Sequence, residues 1–453
     1  MAGHMNVAKL LLKFHEDTDL IDAYYGQAFL EWAAKTGDDV VVQALLQKGI
    51  SANLRRSEDG QTPLCLAAEG HNAVVGLLLA SNAHPDVADR LGQTPVLQAA
   101  KKGHHSMIEK LLESGANINL VDELGQTPLI QAAKEGHEKV VRLLLDNRAE
   151  VDTADEDCQT ALLHAAKEGH NVVLQLLLNH KANANWADQK GRLPLSWAAM
   201  HGHDTTIEML LHHGATADHK DRSHKTPLAI AALKGHASTV QLLLGQDVDI
   251  ELEDKSGCTP LFWAVYWNKI ATMQVLLANG ADPWRPDRHD QTPLAWVVEQ
   301  GQAAMVNLLH DHDKLLVNQD EYRIPLLLRA AEHGHAGVTQ LLLDKGQDVD
   351  LINLEHGRSA LWYAVDGGHL EVVQLLLASN TMIDLPDNDS RTPLARAMAK
   401  GHGIVVDLLA EHTERPNVEV SARGLLTFGV GNEGDLVSLD REDEMAPSVV
   451  KIR

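Results

Sequence analysis

The chain has 453 residues, of which 44% are hydrophobic and 4% aromatic, so its apolar content comes mainly from aliphatic side chains. Lys and Arg number 39 against 63 Asp and Glu, a formal charge of −24 that repels phosphate backbones and anionic lipid, so nucleic acids and membrane surfaces are not expected partners. Three isolated cysteines, no signal-peptide core and no apolar run of about 20 residues predict an intracellular protein of the cytoplasm, with the nucleus left open.

A short motif, Thr-Pro-Leu or a close variant, recurs along the chain and defines an internal repeat. Successive copies are separated by 32 to 34 residues, and seven consecutive steps are 33 residues long. The copies begin at Ala28, Thr62, Thr94, Thr127, Thr160, Leu193, Thr226, Thr259, Thr292, Pro325, Ser359 and Thr392. This register predicts a stack of about twelve similar units, each of which buries its apolar face against its neighbours.

Each unit has the same local signals, which the copy at Thr127 shows most clearly. Thr127 is a good helix N-cap, and Pro128 fits the first helical turn without losing a hydrogen bond. Gly136 predicts the end of the first helix through a left-handed residue. The apolar residues of segment 140–145 then predict a second helix, and the polar segment 122–125 predicts the turn between units.

The unit Gly-x-Thr-Pro-Leu-x-x-Ala-Ala-x-x-Gly-His-x-x-Val-Val-x-Leu-Leu-Leu resembles the ankyrin repeat over about residues 3 to 412. The resemblance implies an all-α fold, a curved α-solenoid about 110 Å long in which each helix-turn-helix is followed by a projecting turn or hairpin. The family's usual His after Thr-Pro-Leu is absent. The variant at Leu193–Ala199 is similar instead to ankyrin arrays of filamentous fungi, which often follow a NACHT module in receptor-like proteins.

Three segments follow from the pattern. Residues 1–27 are expected to be an N-terminal half repeat or cap, in which Gly26-Gln27 forms the turn before Ala28, and the chain is expected to be cut from a longer array. Residues 28–414 are the repeat array. Residues 415–453 are a tail with a possible hairpin cap and an acidic run from Asp440 to Glu444.

The sequence offers no catalytic constellation. It has no phosphate loop, no Gly-x-Ser-x-Gly and no His-Glu-x-x-His. Nine of the 26 histidines are the Gly-His of successive units, and units about 10 Å apart cannot share a zinc ion whose ligands lie near 2 Å. We therefore expect structural histidines, no metal, no cofactor and no enzymatic activity.

The resemblance implies that the two residues between Ala-Ala and Gly-His, the groove positions, line the concave surface where partners dock beside the turn tips. These positions are lysines in the early units and become apolar or aromatic in the middle units. The array is least regular from about residue 263 to 325, where Asn268-Lys269 replaces Gly-His. The predicted partner-binding residues are Met200, His201, Leu233, Tyr266, Trp267, Trp284, Arg285 and Glu299.

Other interpretations stay open for these residues. Tyr266 and Trp267 either bind a partner or only repack an imperfect unit. Trp197 and the aromatic residues that occupy the same repeat position in other units are expected to belong to the core between units. The secondary basic patch either attracts an acidic partner or consists of solvated charges. Its residues are Lys101, Lys102, Lys134 and Lys167.

The sequence thus predicts a non-catalytic scaffold for protein–protein interaction, monomeric as an isolated array. Its groove would hold a protein partner or another segment of its own polypeptide, as the sensor or regulatory part of a larger protein. The alternative is a small-molecule-binding protein or an enzyme that uses the aromatic, acid-rimmed middle of the groove. A purely structural spacer is the third possibility.

Overall fold

The computed structural model of the chain describes residues 23–56, 59–312 and 325–413, and in these ranges it contains 24 α-helices in twelve pairs. The first helices of the pairs are α1 (Ala23–Thr36), α3 (Pro63–Ala67), α5 (Pro95–Lys102), α7 (Pro128–Lys134), α9 (Ala161–Glu168), α11 (Pro194–His201), α13 (Pro227–Lys234), α15 (Pro260–Tyr266), α17 (Pro293–Glu299), α19 (Leu326–Glu332), α21 (Ala360–Gly367) and α23 (Pro393–Lys400). The second helices are α2 (Asp39–Gln47), α4 (Asn72–Ala80), α6 (His105–Glu113), α8 (Glu138–Asp146), α10 (Asn171–Asn179), α12 (Asp204–His212), α14 (Ala237–Leu244), α16 (Ile270–Ala278), α18 (Ala303–His312), α20 (Ala336–Asp344), α22 (Leu370–Ala378) and α24 (Gly403–Thr413).

All first helices except α1 begin at the predicted caps. In α7 the Thr127 hydroxyl accepts a hydrogen bond of 3.1 Å from the backbone N–H of Ile130, and Pro128 occupies the first turn. Gly136, just beyond the helix, has a φ of 74°, the left-handed conformation that glycine adopts without steric cost. Leu193 and Pro325 begin α11 and α19 without a side-chain cap.

Each helix packs against the corresponding helix of the next unit. First helices contact first helices, second helices contact second helices, and the two helices of a pair contact each other. The first helices of the interior units are largely buried; in α7 every residue from Pro128 to Ala133 is buried, because the Ala132-Ala133 pair lets the neighbouring backbones approach closely. In the last one, α23, only Pro393 and Ala397 are buried. One continuous apolar core results, which confirms the all-α solenoid of twelve units.

The turns between units are joined by backbone hydrogen bonds. The Asp122 carboxylate accepts from the backbone N–H groups of Leu124 and Gln126, at 3.0 and 2.8 Å, and so closes its turn. The N–H of Glu123 donates to the carbonyl of Leu91 in the preceding turn, at 3.1 Å. Strand pairing is minor: β1 (Ile352–Asn353) and β2 (Arg358–Ser359) form one short antiparallel hairpin.

One local prediction is wrong. Gly26 and Gln27, expected to form a turn, lie inside α1, because Ala28 has no hydroxyl that could cap a helix starting there and the helix begins at Ala23 instead. The half repeat within residues 1–22, the exit of the ninth unit at 313–317, the tail hairpin and the acidic run lie outside the described residues. The segment boundaries stay predictions. No helix among the described residues is long and apolar enough to cross a membrane.

Candidate functional site

A ladder of histidines links the groove positions of successive units. The Nε2 of His170 lies 3.2 Å from the carbonyl oxygen of Lys134, and because a carbonyl only accepts, the ring nitrogen donates. The ring also lies against Gly136, where a Cβ atom would come within 2.7 Å of it. The same bond is made by His71, His104, His137, His203, His236, His335, His369 and His402. The predicted structural role of these histidines is confirmed.

The ladder is interrupted where the sequence is irregular. Lys269 and Gln302 replace the histidines that would reach the carbonyls of Leu233 and Tyr266. Asn268 takes the place of the preceding glycine with a φ of 53°, which asparagine tolerates better than most residues. At Asn268 the backbone therefore keeps the conformation of a regular unit, while the replacements at Lys269 and Gln302 remove two of the links between units.

Beside this interruption the structure forms an aromatic cluster of Trp263, Tyr266, Trp267 and Trp296. Tyr266 stacks on Trp296 of the next unit, with ring centroids 4.9 Å apart and an angle of 24° between the ring planes. It meets Trp263 and Trp267 edge to face, at 5.9 and 5.4 Å. Tyr266 is nevertheless 43% exposed and Trp267 52% exposed, so the cluster presents aromatic surface to solvent.

Two tryptophans of the first helices, Trp197 and Trp263, are anchored by carboxylates from the turns. The Nε1 of Trp197 donates to Asp188 at 3.1 Å, and Arg192 pairs with the same carboxylate at 2.9 Å while its guanidinium lies 3.8 Å from the centroid of the indole ring. Trp197 is only 8% exposed, as expected for core between units. His201 stacks on Trp197 at 6.1 Å, and burial together with the nearby His203 lowers the pKa of His201.

An equivalent arrangement lies two units later. The Nε1 of Trp263 donates to Asp254 at 3.1 Å, and the Nζ of Lys225 lies 2.7 Å from that carboxylate and 4.5 Å from the centroid of the indole ring. The cation thus comes from the unit before the tryptophan. At the same position the unit that begins at Thr160 has His164, whose Nε2 lies 3.0 Å from Asp155, with both side chains buried. Sequence reasoning missed these three pairs.

A pocket of about 360 Å³ lies between α11, α13 and the two turns that precede them. Two predicted residues, Met200 and Leu233, line it, while His201 does not. Sequence reasoning missed its cationic side chains, although Lys and Arg recur in both turns. These side chains are Lys190, Arg192, Arg222, Lys225 and Lys234.

Three other predicted residues are held by neighbouring units. Trp284 is half-buried and packs against the core, and Arg285 donates through Nε and Nη2 to Glu253, at 2.9 and 2.7 Å. That hydrogen bond raises the pKa of Arg285. Glu299 forms an ion pair with Arg329 of the next unit and accepts from Gln291 at 2.6 Å. These contacts bind units together and place Arg285 and Glu299 outside both the pocket lining and the aromatic cluster.

The residues of the secondary basic patch differ in their surroundings. Lys101, Lys102 and Lys134 are exposed and form no ion pair with another described residue. Lys167 is half-buried, and its Nζ lies 4.9 Å from the centroid of the Trp197 ring. The first three lysines are therefore available to an acidic partner, and Lys167 already contacts the next unit.

No three His, Cys, Asp or Glu side chains in the described ranges lie close enough together to hold a metal ion. Two of the thiols, Cys65 and Cys258, are buried. Burial, and after it the nearby Asp254, raises the pKa of Cys258 to about 12, which keeps that thiol protonated at neutral pH.

Comparison with known proteins adds the family. The family model described as Ankyrin repeats (3 copies) matches residues 1–89, 70–155, 153–221, 215–287 and 327–420, well over half of the chain. The fungal resemblance stays a prediction.

Similar stretches occur in animal proteins. Ankyrin repeat and KH domain-containing protein mask-1 of Caenorhabditis elegans is 35% identical over 89 residues, which are 19% of this chain and 3% of that protein. Ankyrin repeat domain-containing protein 63 of Homo sapiens is 38% identical over 80 residues, 18% of this chain and 21% of that protein. A transient receptor potential cation channel subfamily A member 1 homolog of C. elegans is 36% identical over 93 residues, which are 20% of this chain and 8% of that protein. The chain spans only a small part of each relative's length.

Proposed function

Because this chain belongs to the ankyrin repeat family, whose repeats are protein-interaction modules, we propose that it is a non-catalytic scaffold that binds a protein segment along its groove positions. The binding region consists of the aromatic cluster and the adjacent pocket. Trp284, Arg285 and Glu299 support it by fixing the neighbouring units. The array acts in the cytoplasm, as a monomer and as the sensor or regulatory part of a larger protein.

The observation that carries the proposal is the exposure of aromatic surface in the irregular unit. Trp267 is 52% exposed, although burying an indole side chain stabilises a protein by several kcal/mol. Tyr and Trp are the residue types most enriched among side chains that dominate binding energy. The nearby pocket, with Met200 and Leu233 in its lining, offers a second contact for an extended partner.

The test is the substitution Trp267→Ala, since this side chain is 52% exposed and meets Tyr266 edge to face. A binding role predicts that capture of protein partners by the immobilised chain falls by about tenfold or more, at an unchanged melting temperature. Ile270→Ala is the matched control, because Ile270 is 47% exposed at the start of α16 in the same unit. Equal capture by both variants and by the unsubstituted chain would remove the aromatic cluster from the proposal.

A further inference from the structure

The pocket between α11 and α13 is positively charged although the chain as a whole carries a formal charge of −24. Its five cationic side chains face a single lining carboxylate, that of Asp221. The Oδ1 of Asp221 already accepts from the backbone N–H groups of Ser223 and Lys225, at 2.8 and 2.9 Å. The local excess of positive charge is therefore a feature of this pocket and not of the whole surface.

The five cations are not equally available. Arg192 is paired with Asp188 at 2.9 Å and Lys225 with Asp254 at 2.7 Å, and both carboxylates are buried. The remaining three are exposed and form no ion pair with another residue in the described ranges: Lys190, Arg222 and Lys234. Even with the negative charge of Asp221 counted, these three cations leave the opening with a net positive charge, which attracts carboxylates most strongly at low ionic strength.

The other lining residues are the polar Gln189 and Ser223 and three apolar residues. Met200 and Leu233 are half-buried, and Ile230 is 4% exposed. An occupant that matches the pocket therefore combines several carboxylates with an apolar side chain next to them. A free inorganic anion would satisfy the cations and leave this apolar surface in water.

We propose that the segment Leu439–Met445 of the same chain occupies this pocket and competes there with a partner. The segment reads Leu-Asp-Arg-Glu-Asp-Glu-Met, with four carboxylates, one arginine and an apolar residue at each end. The carboxylates pair with the three unneutralised cations, and Leu439 or Met445 contacts the apolar lining. The inference rests on the proposed function, because it assigns a competitor to the same binding region.

The chain is long enough for this contact. About 27 residues separate Thr413, the end of α24, from Asp440, and a fully extended segment of that length reaches roughly 90 Å. The pocket lies about five units before the last one, which is roughly 50 Å at the spacing of packed helices. Leu439–Met445 lies beyond the described residues.

The experiment is zero-length cross-linking of the full chain with a carbodiimide, which joins a lysine amine to a carboxylate in contact with it. We expect the monomer to contain an amide bond between Lys190 or Lys234 and one of the carboxylates from Asp440 to Glu444, identified by peptide mass spectrometry. The link should be lost in the variant K190Q/K234Q and fall severalfold at 1 M salt. The matched control K101Q/K102Q, which removes two exposed lysines elsewhere in the groove, should keep it.

Two outcomes would overturn the proposal. One is the absence of any link between the acidic run and the pocket lysines in a chain that cross-links elsewhere. The other is a link found only in cross-linked dimers, which would mean that the segment comes from a second copy. Cross-links in the monomer from the acidic run to Lys101 or Lys102 that are as abundant as those to Lys190 or Lys234 would indicate nonspecific electrostatic attraction. They would also contradict binding of the segment in the pocket.

A binding measurement gives an independent readout. The full-length variant D440N/E442Q/D443N/E444Q should bind a labelled synthetic peptide of residues 436–447 at least about fivefold more tightly than the unsubstituted chain, because its own segment no longer fills the pocket. Equal affinity would contradict occupancy. If Trp267→Ala abolishes partner capture while no such link or competition is found, the proposed function stands and this inference fails alone.

Discussion

Lys269 lies against Gly235 where the regular units place a histidine ring: a Cβ atom on Gly235 would come within 2.6 Å of Lys269 Cδ. The lysine thus fills the position without making the bond to the preceding carbonyl. We predict that Lys269→His restores the link to the carbonyl of Leu233 and raises the free energy of unfolding by about 1 kcal/mol. Chemical denaturation checks this, with Lys269→Ala as the control, and a destabilised histidine variant would contradict the ladder's role.

Removing a regular link should have the opposite effect. His170→Ala deletes the bond to the carbonyl of Lys134 and the contact with Gly136, so we expect a loss of about 1–3 kcal/mol in the free energy of unfolding. His105→Ala is the control, because the side chain of His105 is 38% exposed and its Nδ1 only approaches Glu109, at 3.6 Å. Equal losses in the two variants would show that the link itself does not stabilise the stack.

Several residues other than glycine occupy the left-handed region after a helix or in a turn. Arg148 has a φ of 62°, a conformation that costs an arginine about 1 kcal/mol and a glycine nothing. We therefore predict that Arg148→Gly raises the melting temperature. Asn82→Gly, at an equivalent position with a φ of 58°, should gain less because asparagine tolerates this region. A lower melting temperature for Arg148→Gly would refute the strain argument.

The buried pair of Asp155 and His164 predicts a pH dependence. Burial alone would raise the pKa of Asp155, but the hydrogen bond from His164 and those from the backbone of Gln159 and Asp157 outweigh it, so the pKa is lowered. A carboxyl whose folded pKa lies below its unfolded value of about 3.9 contributes stability above that value and loses it as pH falls through the folded pKa.

The measurement is the free energy of unfolding from pH 7 down to pH 3 for the unsubstituted chain and for Asp155→Asn. We expect the variant to be less stable at pH 7 and to lose less stability on acidification, because it has no charge to neutralise. Asp157→Asn is the control: Asp157 is an exposed neighbour with no ion pair in the described ranges. Parallel pH curves for Asp155→Asn and the unsubstituted chain would disprove the contribution.

The sequence predicted those parts of the structure that depend on contacts within a few residues. Thr127 caps its helix three residues away, and Gly136 ends it locally, so both could be read directly. The turn at Gly26 was mispredicted because Gly26-Gln27-Ala28 resembles the Gly-Gln-Thr entry of other units, although Ala28 lacks the capping hydroxyl. A spacing alone does not place a helix end.

The binding region depends on contacts between units, which a single repeat does not reveal. The stacking of Tyr266 on Trp296 joins side chains 30 residues apart, and the pairing of Lys225 with Asp254 spans 29. Arg285 is predicted to face a partner, and the structure adds an ion pair with Glu253 in the turn before it, which the sequence of one repeat does not show. Each of these contacts depends on which side chain of the adjacent unit lies opposite the residue, and only the three-dimensional structure shows this.

The histidine ladder has a consequence for how such an array can change. Each ring binds the backbone carbonyl of a groove position, and at Lys134, Met200 and Glu299 the bond is the same although the side chains are a cation, a thioether and a carboxylate. The stacking of units therefore does not depend on which side chain occupies a groove position. Groove side chains can be replaced one at a time while the backbone links between units stay constant, so the architecture can be inherited while the surface of the groove diversifies.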